Sequence, residues 1–429
     1  MKSGETIPVN MPTTKPKAIL VGVRMPDSPS TDISLEELEG LATTANYDPI
    51  ARLTQQLDKI NPKTLLGSGK VEELRLAVHQ HKAEVVIFDE ELSPRQNREL
   101  ENILKCRVMD RPWIILEIFS DHAKTREAKT QVELARMKYS LPRLTGMWGH
   151  LSRQRGGIGM KDVGETQIQL DKRMIRNEIH KLEKKLVQID KEKTTQRKKR
   201  KGAYKVALVG YTNAGKSTLM NSLTGADTLV EDKLFATLDA TVRKIKKNFP
   251  YPVLLSDTVG LISKLPHDLV ASFKSTLDEV RDADLLIHVV DISHMEYAEQ
   301  MRIANDLLEE MEMDDIDIIL AFNKIDALPN MEILDRAIHT NPSAIGISSK
   351  TGQGIETLRQ RMIFHYEKNL VPYRLELKHS QAALIQEIRQ HALVLAEDYT
   401  PNNIILKLRV AAGAKAKLES ILRQPINPE

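Results

Sequence analysis

From residue 203 to about 365, short apolar runs alternate with amphipathic ones. The runs at 205–209, 252–256, 284–290, 316–322 and 344–347 have strand length. Between them, Leu269–Val280 and Ala298–Met311 repeat their apolar residues at helical spacing. Strands that alternate with helices predict a doubly wound, mostly parallel sheet with ligand loops at the strand C-termini.

The flanking segments differ. Over 18–118, Ala18–Val23 and Glu84–Phe88 read as buried strands. Leu35–Leu41 and Val71–His79 carry helical periodicity, with Val71, Leu74 and Val78 on one face. A compact α/β domain is expected there. From 120 to 200 charged residues become dense. Lys124–Tyr139 reads as a helix with Val132, Ala135 and Tyr139 on one face. Thr166-x-x-Gln169 is a candidate capping box for a second helix. Its apolar residues Ile175, Ile179, Leu182, Leu186 and Ile189 alternate in steps of four and three, the seam of a coiled-coil hairpin. The basic run Lys193–Gly202 reads as a solvated linker. Near the end, Gln381–Ala396 reads as a helix, Asn403–Val410 as a strand and Lys415–Leu422 as a helix, together a small α+β module for packing or docking.

Chemistry enters at residues 210–217, Gly-Tyr-Thr-Asn-Ala-Gly-Lys-Ser. This is the G-x-x-x-x-G-K-[ST] phosphate loop, placed after the apolar run Val206–Val209 and before a helix. Gly210 and Gly215 let the backbone curl around a phosphate. The N–H groups of Tyr211, Thr212, Asn213 and Ala214 then converge on it, and the helix N-terminus adds a positive end. Lys216 would reach the β- and γ-phosphates, and Ser217 would offer its hydroxyl to Mg²⁺.

Asn323-Lys324-Ile325-Asp326 follows the apolar strand 318–322. A carboxylate there accepts both N1–H and the exocyclic N2–H₂ of guanine. Adenine would leave it unpaired, and a missing polar partner discriminates strongly. Asn323 would brace the site and Lys324 would lie along the base. Between the two motifs, Asp257-Thr258-Val259-Gly260 follows the strand 252–256. Asp257 would hold Mg²⁺ through water, and the Gly260 N–H would meet the γ-phosphate. Ser348-Ser349-Lys350 resembles the element that backs guanine in G proteins, although Ser-Ser-Lys is also a common loop.

Many G proteins place a glutamine after the switch glycine to orient the attacking water. Leu261 occupies that position, followed by Ile262. Either intrinsic hydrolysis is slow or another group or partner positions the water.

With these motifs in hand, the chain resembles the HflX family of ribosome-associated GTPases, over roughly 18–420. The likeness rests on Phe235-Ala236-Thr237-Leu238-Asp239, on Asp257–Ile262 and on stretches upstream. The resemblance implies that Phe235–Asp239 is the first switch and that Thr237 completes the Mg²⁺ shell when the γ-phosphate is present. Taken without the family, Thr241 is nearly as good a candidate. Asn213 matches the residue that binds a stimulatory K⁺ in some related G proteins. The family also suggests ATP binding in the N-terminal region. Gly67-Ser68-Gly69-Lys70 could hold an anion there, but a turn into a helix with a solvated lysine is the favoured reading.

The segment between the hairpin helices, Arg143 to Glu165, is too long for a minimal turn. It holds Gly146, Gly149, Gly156, Gly157, Gly159 and Gly164, with Arg143, Arg153, Arg155, Lys161, Trp148 and His150. Glycine permits close approach, arginine meets phosphate and aromatic rings stack on bases. Composition alone leaves an RNA contact and an unpartnered surface loop about even. Arg155-Gly156-Gly157-Ile158-Gly159 and Gly164-Glu165-Thr166-Gln167 match the family pattern, whose loop enters the large ribosomal subunit near the peptidyl transferase centre. Met160-Lys161-Asp162-Val163 departs from that pattern, and Asp162 adds a negative charge beside the expected rRNA.

Composition adds bounds. The 429 residues suggest about three domains at ~150 each. A net charge of +3 makes any nucleic-acid surface local. One cysteine, Cys106, excludes an intrachain disulfide and suits a reducing, cytoplasmic setting. Residues 1–17 have no signal-peptide core, and no apolar stretch of about 18 residues exists to span a membrane. Peripheral membrane contact stays open.

The expected organisation is an N-terminal α/β domain at 18–118, a helical hairpin at 119–202 with its loop at 143–165, a P-loop G domain at 203–366 and a small C-terminal domain at 367–429. The expected function is a Mg²⁺-dependent GTPase that binds the large ribosomal subunit, and splits or rescues stalled ribosomes under stress as the resemblance implies. A monomer with no DNA partner is expected. The alternative is a GTP-switched RNA-binding or ribosome-assembly factor with little intrinsic turnover. A P-loop metabolic kinase would need an acceptor pocket and no Asp326.

Overall fold

The computed structural model describes residues 15–26, 31–144, 161–198, 203–225, 234–235, 241–245, 249, 251–264, 280–310, 313, 316–389, 392–411 and 418, without the side chains of 31, 161–168, 194–198 and 411. Two compact units are present, one holding the described residues up to Leu186, the other those from Val187 onward.

The first unit begins with β1 (Lys17–Arg24), α1 (Thr31–Thr44), β2 (Asp48–Gln56), α2 (Ser68–His81), β3 (Val85–Phe88), α3 (Pro94–Leu104), β4 (Arg107–Asp110) and α4 (Arg111–His122). Its sheet is all parallel in the order β2-β1-β3-β4. The six central residues of β1 are buried, as a strand covered on both faces requires. Ile19, Val21, Val86 and Phe88 pack against Val71, Leu74 and Val78 of α2 and Leu100 and Leu104 of α3. The apolar pattern did not reveal β2 or β4. Both are edge strands; β2 is polar and half-exposed and β4 has only four residues, so neither makes a long apolar run.

Helices α5 (Arg126–Ser140) and α6 (Lys161–Lys198) follow. Four of the five predicted seam residues, Ile175, Ile179, Leu182 and Leu186 of α6, meet Leu134 and Met137 of α5 and Leu141 just beyond it; Ile189 is buried but does not join that cluster. Tyr139 instead faces α4, where its ring lies 5.3 Å from Trp113. Two expectations are corrected. Helix α6 starts at Lys161, so Thr166 lies inside it rather than at its N-cap, and residues 161–165 belong to the helix rather than the loop. A complete capping box does exist elsewhere, where Ser93 and Gln96 exchange bonds around Pro94 at the start of α3.

The second unit contains β5 (Tyr204–Val209), α7 (Lys216–Thr224), β6 (Thr241–Ile245), β7 (Val253–Asp257), β8 (Leu285–Asp291), α8 (Tyr297–Glu310), β9 (Ile318–Asn323), α9 (Glu332–Thr340), β10 (Ile345–Gly346) and α10 (Ile355–Lys368). The sheet order is β10-β9-β8-β5-β7-β6, parallel except for β6. All five predicted strands are present. Strand β6 was not foreseen, because an edge strand reading Thr-Val-Arg-Lys-Ile offers little apolar signal. The predicted helix Leu269–Val280 lies outside the described residues apart from Val280.

A second sheet closes the chain: β11 (Leu370–Lys378), β12 (Leu393–Tyr399) and β13 (Asn403–Ala411) run antiparallel with β13 in the centre. The expected helix 381–396 shrinks to α11 (Leu384–Ile388), and 393–396 pair with β13 instead. Leu-Val-Leu-Ala suits either state, and strand pairing decides it. The expected helix 415–422 lies outside the described residues except Leu418, which is buried against Leu375, Leu406 and Leu408.

Candidate functional site

Strand β5 lies mid-sheet, with β7 on one side and β8 on the other. The chain runs from β5 to one side and later returns to the other, so the C-terminal end of β5 is the topological switch point, where open α/β sheets bind ligands. The phosphate loop leaves β5 there. Leu208 is in register with Asp257, and Val209 with His288. The loop takes left-handed backbone at Asn213 (φ 58°) and Gly215 (φ 91°), and Gly210 has φ 144°. A side chain at Gly210 would strike the Val289 carbonyl, and one at Gly215 the amide of Asn323. Lys216, the first residue of α7, is buried. Its ammonium donates to the carbonyls of Gly210 (2.9 Å) and Tyr211 (2.7 Å). An ammonium has three donors, so one is left for a phosphate. Burial pulls its pKa down to about 8, and the Asp257 carboxylate opposes that only in part.

Asp257 ends β7 and accepts from the Ser217 hydroxyl at 2.6 Å. Two hard oxygen donors thus converge beside the phosphate loop, a donor set that fits Mg²⁺. Among the described residues no group of three or more His, Cys, Asp or Glu could hold a metal by itself. Thr258 turns back to the Leu208 carbonyl at 2.7 Å. Gly260 lies so close to the loop that a Cβ would sit 2.8 Å from Thr212 Cα and 3.2 Å from Lys216 Nζ. Beyond Val259 and Gly260, Leu261 forms a parallel bridge with Tyr211: Thr212 N–H donates to the Leu261 carbonyl (2.8 Å) and Leu261 N–H to the Gly210 carbonyl (3.1 Å). The Ser263 N–H donates to the Tyr211 hydroxyl at 2.7 Å.

The other end of the site is built around Asn323, the last residue of β9 and 1% exposed. Its amide nitrogen donates to the Ala214 carbonyl at 2.8 Å. Its oxygen accepts from the Ser349 N–H and hydroxyl, both at 2.9 Å. One side chain therefore ties the phosphate loop to the Ser348–Lys350 loop. Lys324 is left-handed (φ 63°), and Ile325–Ala327 form a 3₁₀ turn that leaves the Asp326 side chain exposed. Ser348 is fully buried and Lys350 is exposed. Sequence reasoning missed Asp291, whose carboxylate holds Lys324 Nζ at 2.7 Å. The available signal was an acidic residue directly beyond the strand run 284–290.

Ala236, Thr237, Leu238 and Asp239 lie outside the described residues; Phe235 is buried with a left-handed φ of 57°. Thr241, the alternative to Thr237, opens β6 in register with Asp257. Of the glycine- and arginine-rich loop, 145–160 lie outside the described residues. Arg143 is corrected as an RNA contact: its guanidinium turns inward to the Leu92 carbonyl (2.6 Å) and the Tyr139 ring. Gly67 is the N-cap of α2 and Ser68–Lys70 are its first turn, so the helix starts earlier than expected, and Lys70 pairs with Glu73 at 2.9 Å rather than standing solvated.

Comparison with known proteins agrees with this geometry. The family described as GTP-binding GTPase N-terminal matches residues 32–120, GTP-binding GTPase Middle Region matches 122–200, and 50S ribosome-binding GTPase matches 205–324. The chain is 50% identical over 320 residues to the GTPase HflX of Flavobacterium psychrophilum, covering 74% of this chain and 77% of that one. It is 41% identical over 410 residues to the GTPase HflX of Caldanaerobacter subterraneus, covering 95% and 94%. The chain belongs to the HflX family of GTPases. A solved GTP-binding protein of Sulfolobus solfataricus, in complex with GDP, is 25% identical, with 82% and 99% covered and a TM-score of 0.45. HflX proteins are GTPases, and this chain carries a GTP-binding GTPase domain on a P-loop α/β fold. Among the described residues no helix is long and apolar enough to cross a membrane.

Proposed function

We propose that GTP is held with its phosphates in the 210–217 loop and its base at Asn323–Asp326, backed by Ser348–Lys350. The observation that carries this reading is the set of three hydrogen bonds made by the Asn323 side chain, which links the two loops through one buried amide. Mg²⁺ would be held by Ser217 and Thr237, with Asp257 behind it, and would neutralise phosphate charge. Lys216 and the loop N–H groups would stabilise the charge that develops during hydrolysis. Gly260 would sense the γ-phosphate, since it already packs on Thr212 and beside Lys216. Asn213, exposed on the loop, would take K⁺. Hydrolysis equal in Na⁺ and K⁺ would dispose of that ion.

The partner proposed is the large ribosomal subunit and its rRNA, met by the part of the 119–202 hairpin loop between Arg143 and Lys161, in a cytoplasmic monomer. Ordered switches in the 203–366 G domain would permit docking, and hydrolysis would release the protein after stalled ribosomes are split or rescued. We propose 18–118 and 367–429 as separate domains that precede and follow this machinery in sequence. Replacing Asp326 with Asn should move preference from GTP to XTP. Ribosomes sedimented with the protein and a non-hydrolysable GTP analogue should lose the intact peak in favour of subunits; an unchanged profile rejects the splitting role.

Leu261 supports a second reading. It is 9% exposed and its backbone is zipped to the phosphate loop, so it offers no polar group to a water. A GTP-switched RNA-binding or assembly factor with little intrinsic turnover fits that as well. Binding only to precursor particles would favour it.

A further inference from the structure

We infer that Asp291 is a positioning residue for guanine recognition, holding Lys324 along the base. The inference deepens the proposed nucleotide site and rests on it. Asp291 ends β8 in register with Asn323 of β9, and the ladder continues one step through the Ile292 N–H to the Asn323 carbonyl at 3.1 Å. The carboxylate is thus fixed to the strand end that carries the base loop. Its two oxygens have separate duties. Oδ1 accepts from the N–H (3.1 Å) and hydroxyl (2.6 Å) of Ser293, which sets the side-chain orientation. Oδ2 holds Lys324 Nζ at 2.7 Å.

Lys324 needs such an anchor. It leaves β9 with a left-handed backbone, and a lysine stem has four rotatable bonds. A flexible stem stacks on a flat base only at the cost of that freedom, and fixing the ammonium lowers the cost before the base arrives. The pair is not a loose surface bridge. The Asp291 side chain is 14% exposed and that of Lys324 31%. The carboxylate is pre-oriented by Ser293, so little entropy is lost in holding the ammonium.

The test is calorimetry of GDP and a non-hydrolysable GTP analogue on the full chain with Asp291→Asn, Lys324→Met and both together. Asp291→Asn should weaken both nucleotides by the same factor, roughly tenfold. An equal factor marks the base end, whereas damage to the phosphate loop would alter the GTP-to-GDP ratio. The double variant should bind as Lys324→Met does, because the aspartate acts only through the lysine. Asp291→Glu should recover part of the loss. A GDP affinity unchanged in Asp291→Asn, or losses that simply add in the double variant, would overturn the inference. Asp326→Asn tested against XDP separates the two levels: no gain of XDP binding rejects the base seat itself, while a gain with Asp291→Asn still silent rejects only the role of Asp291.

Discussion

The guanidinium of Arg143 stacks 3.5 Å from the centre of the Tyr139 ring. The same group donates to the Leu92 carbonyl at 2.6 Å and approaches Asp110 at 3.4 Å, while the Tyr139 hydroxyl donates to Asp110 at 2.6 Å. Asp110 is fully buried at the end of β4, and burial raises its pKa against the pull of these donors. The root of the glycine-rich segment is therefore fastened to the N-terminal sheet. Arg143→Ala should cost about 1–3 kcal/mol, from a lost charged hydrogen bond and a lost cation–π contact. Urea denaturation should show the loss, and GDP affinity should not change.

Asn323→Ala should weaken GDP binding by about 10- to 100-fold. It deletes the bonds to Ala214 and Ser349 together and leaves their buried partners unmet, each worth roughly 1–3 kcal/mol. Asn323→Asp keeps the acceptor for Ser349 but sets a buried carboxylate oxygen against the Ala214 carbonyl, so a loss at least as large is expected. Calorimetry on both variants checks this.

His288 gives the second unit an acid sensitivity. It is 2% exposed on β8, and burial first, then repulsion from Lys216, holds its pKa down to about 4, against a weaker stabilising bond to Asn305. The unfolded chain takes up this proton near the ordinary value of about 6.5, and the folded one does not. The native state is therefore undiminished above that value and loses stability as pH falls from 6.5 towards 4. About 2 kcal/mol should be lost between pH 7 and 5. Urea titrations at both values should show it, and His288→Gln should flatten the difference.

Tyr366 in α10 has Tyr251 3.6 Å from its ring centre and Tyr204 4.8 Å away edge-on. Tyr204, Phe249 and Tyr251 lie at the N-terminal ends of β5 and β7, opposite the nucleotide loops. Tyr366→Ala should cost about 3 kcal/mol through the lost packing. The melting temperature should drop while nucleotide affinity at 25 °C holds.

Local pattern was enough wherever a residue's task is set by its neighbours in the chain. The loop at 210–217 needs glycine at 210 and 215 for reasons of backbone geometry, and the apolar runs around it could only be buried strands. The α6 seam was legible because its partner had to be another helix. Edge strands β2 and β6 escaped, since half-exposed backbone carries a weak apolar signal, and 393–396 became strand because β13 lies beside it.

What sequence by itself determined is the chemistry on offer: a phosphate loop, a carboxylate at Asp326 after an apolar strand and an apolar Leu261 where glutamine is common. Only the tertiary structure decided which groups meet. Asn323 reaches Ala214 across 109 positions of sequence, Asp291 reaches Lys324 from the neighbouring strand, and Arg143 is drawn inward by Asp110. These pairings depend on strand order and helix packing, which bring together side chains that no local spacing relates.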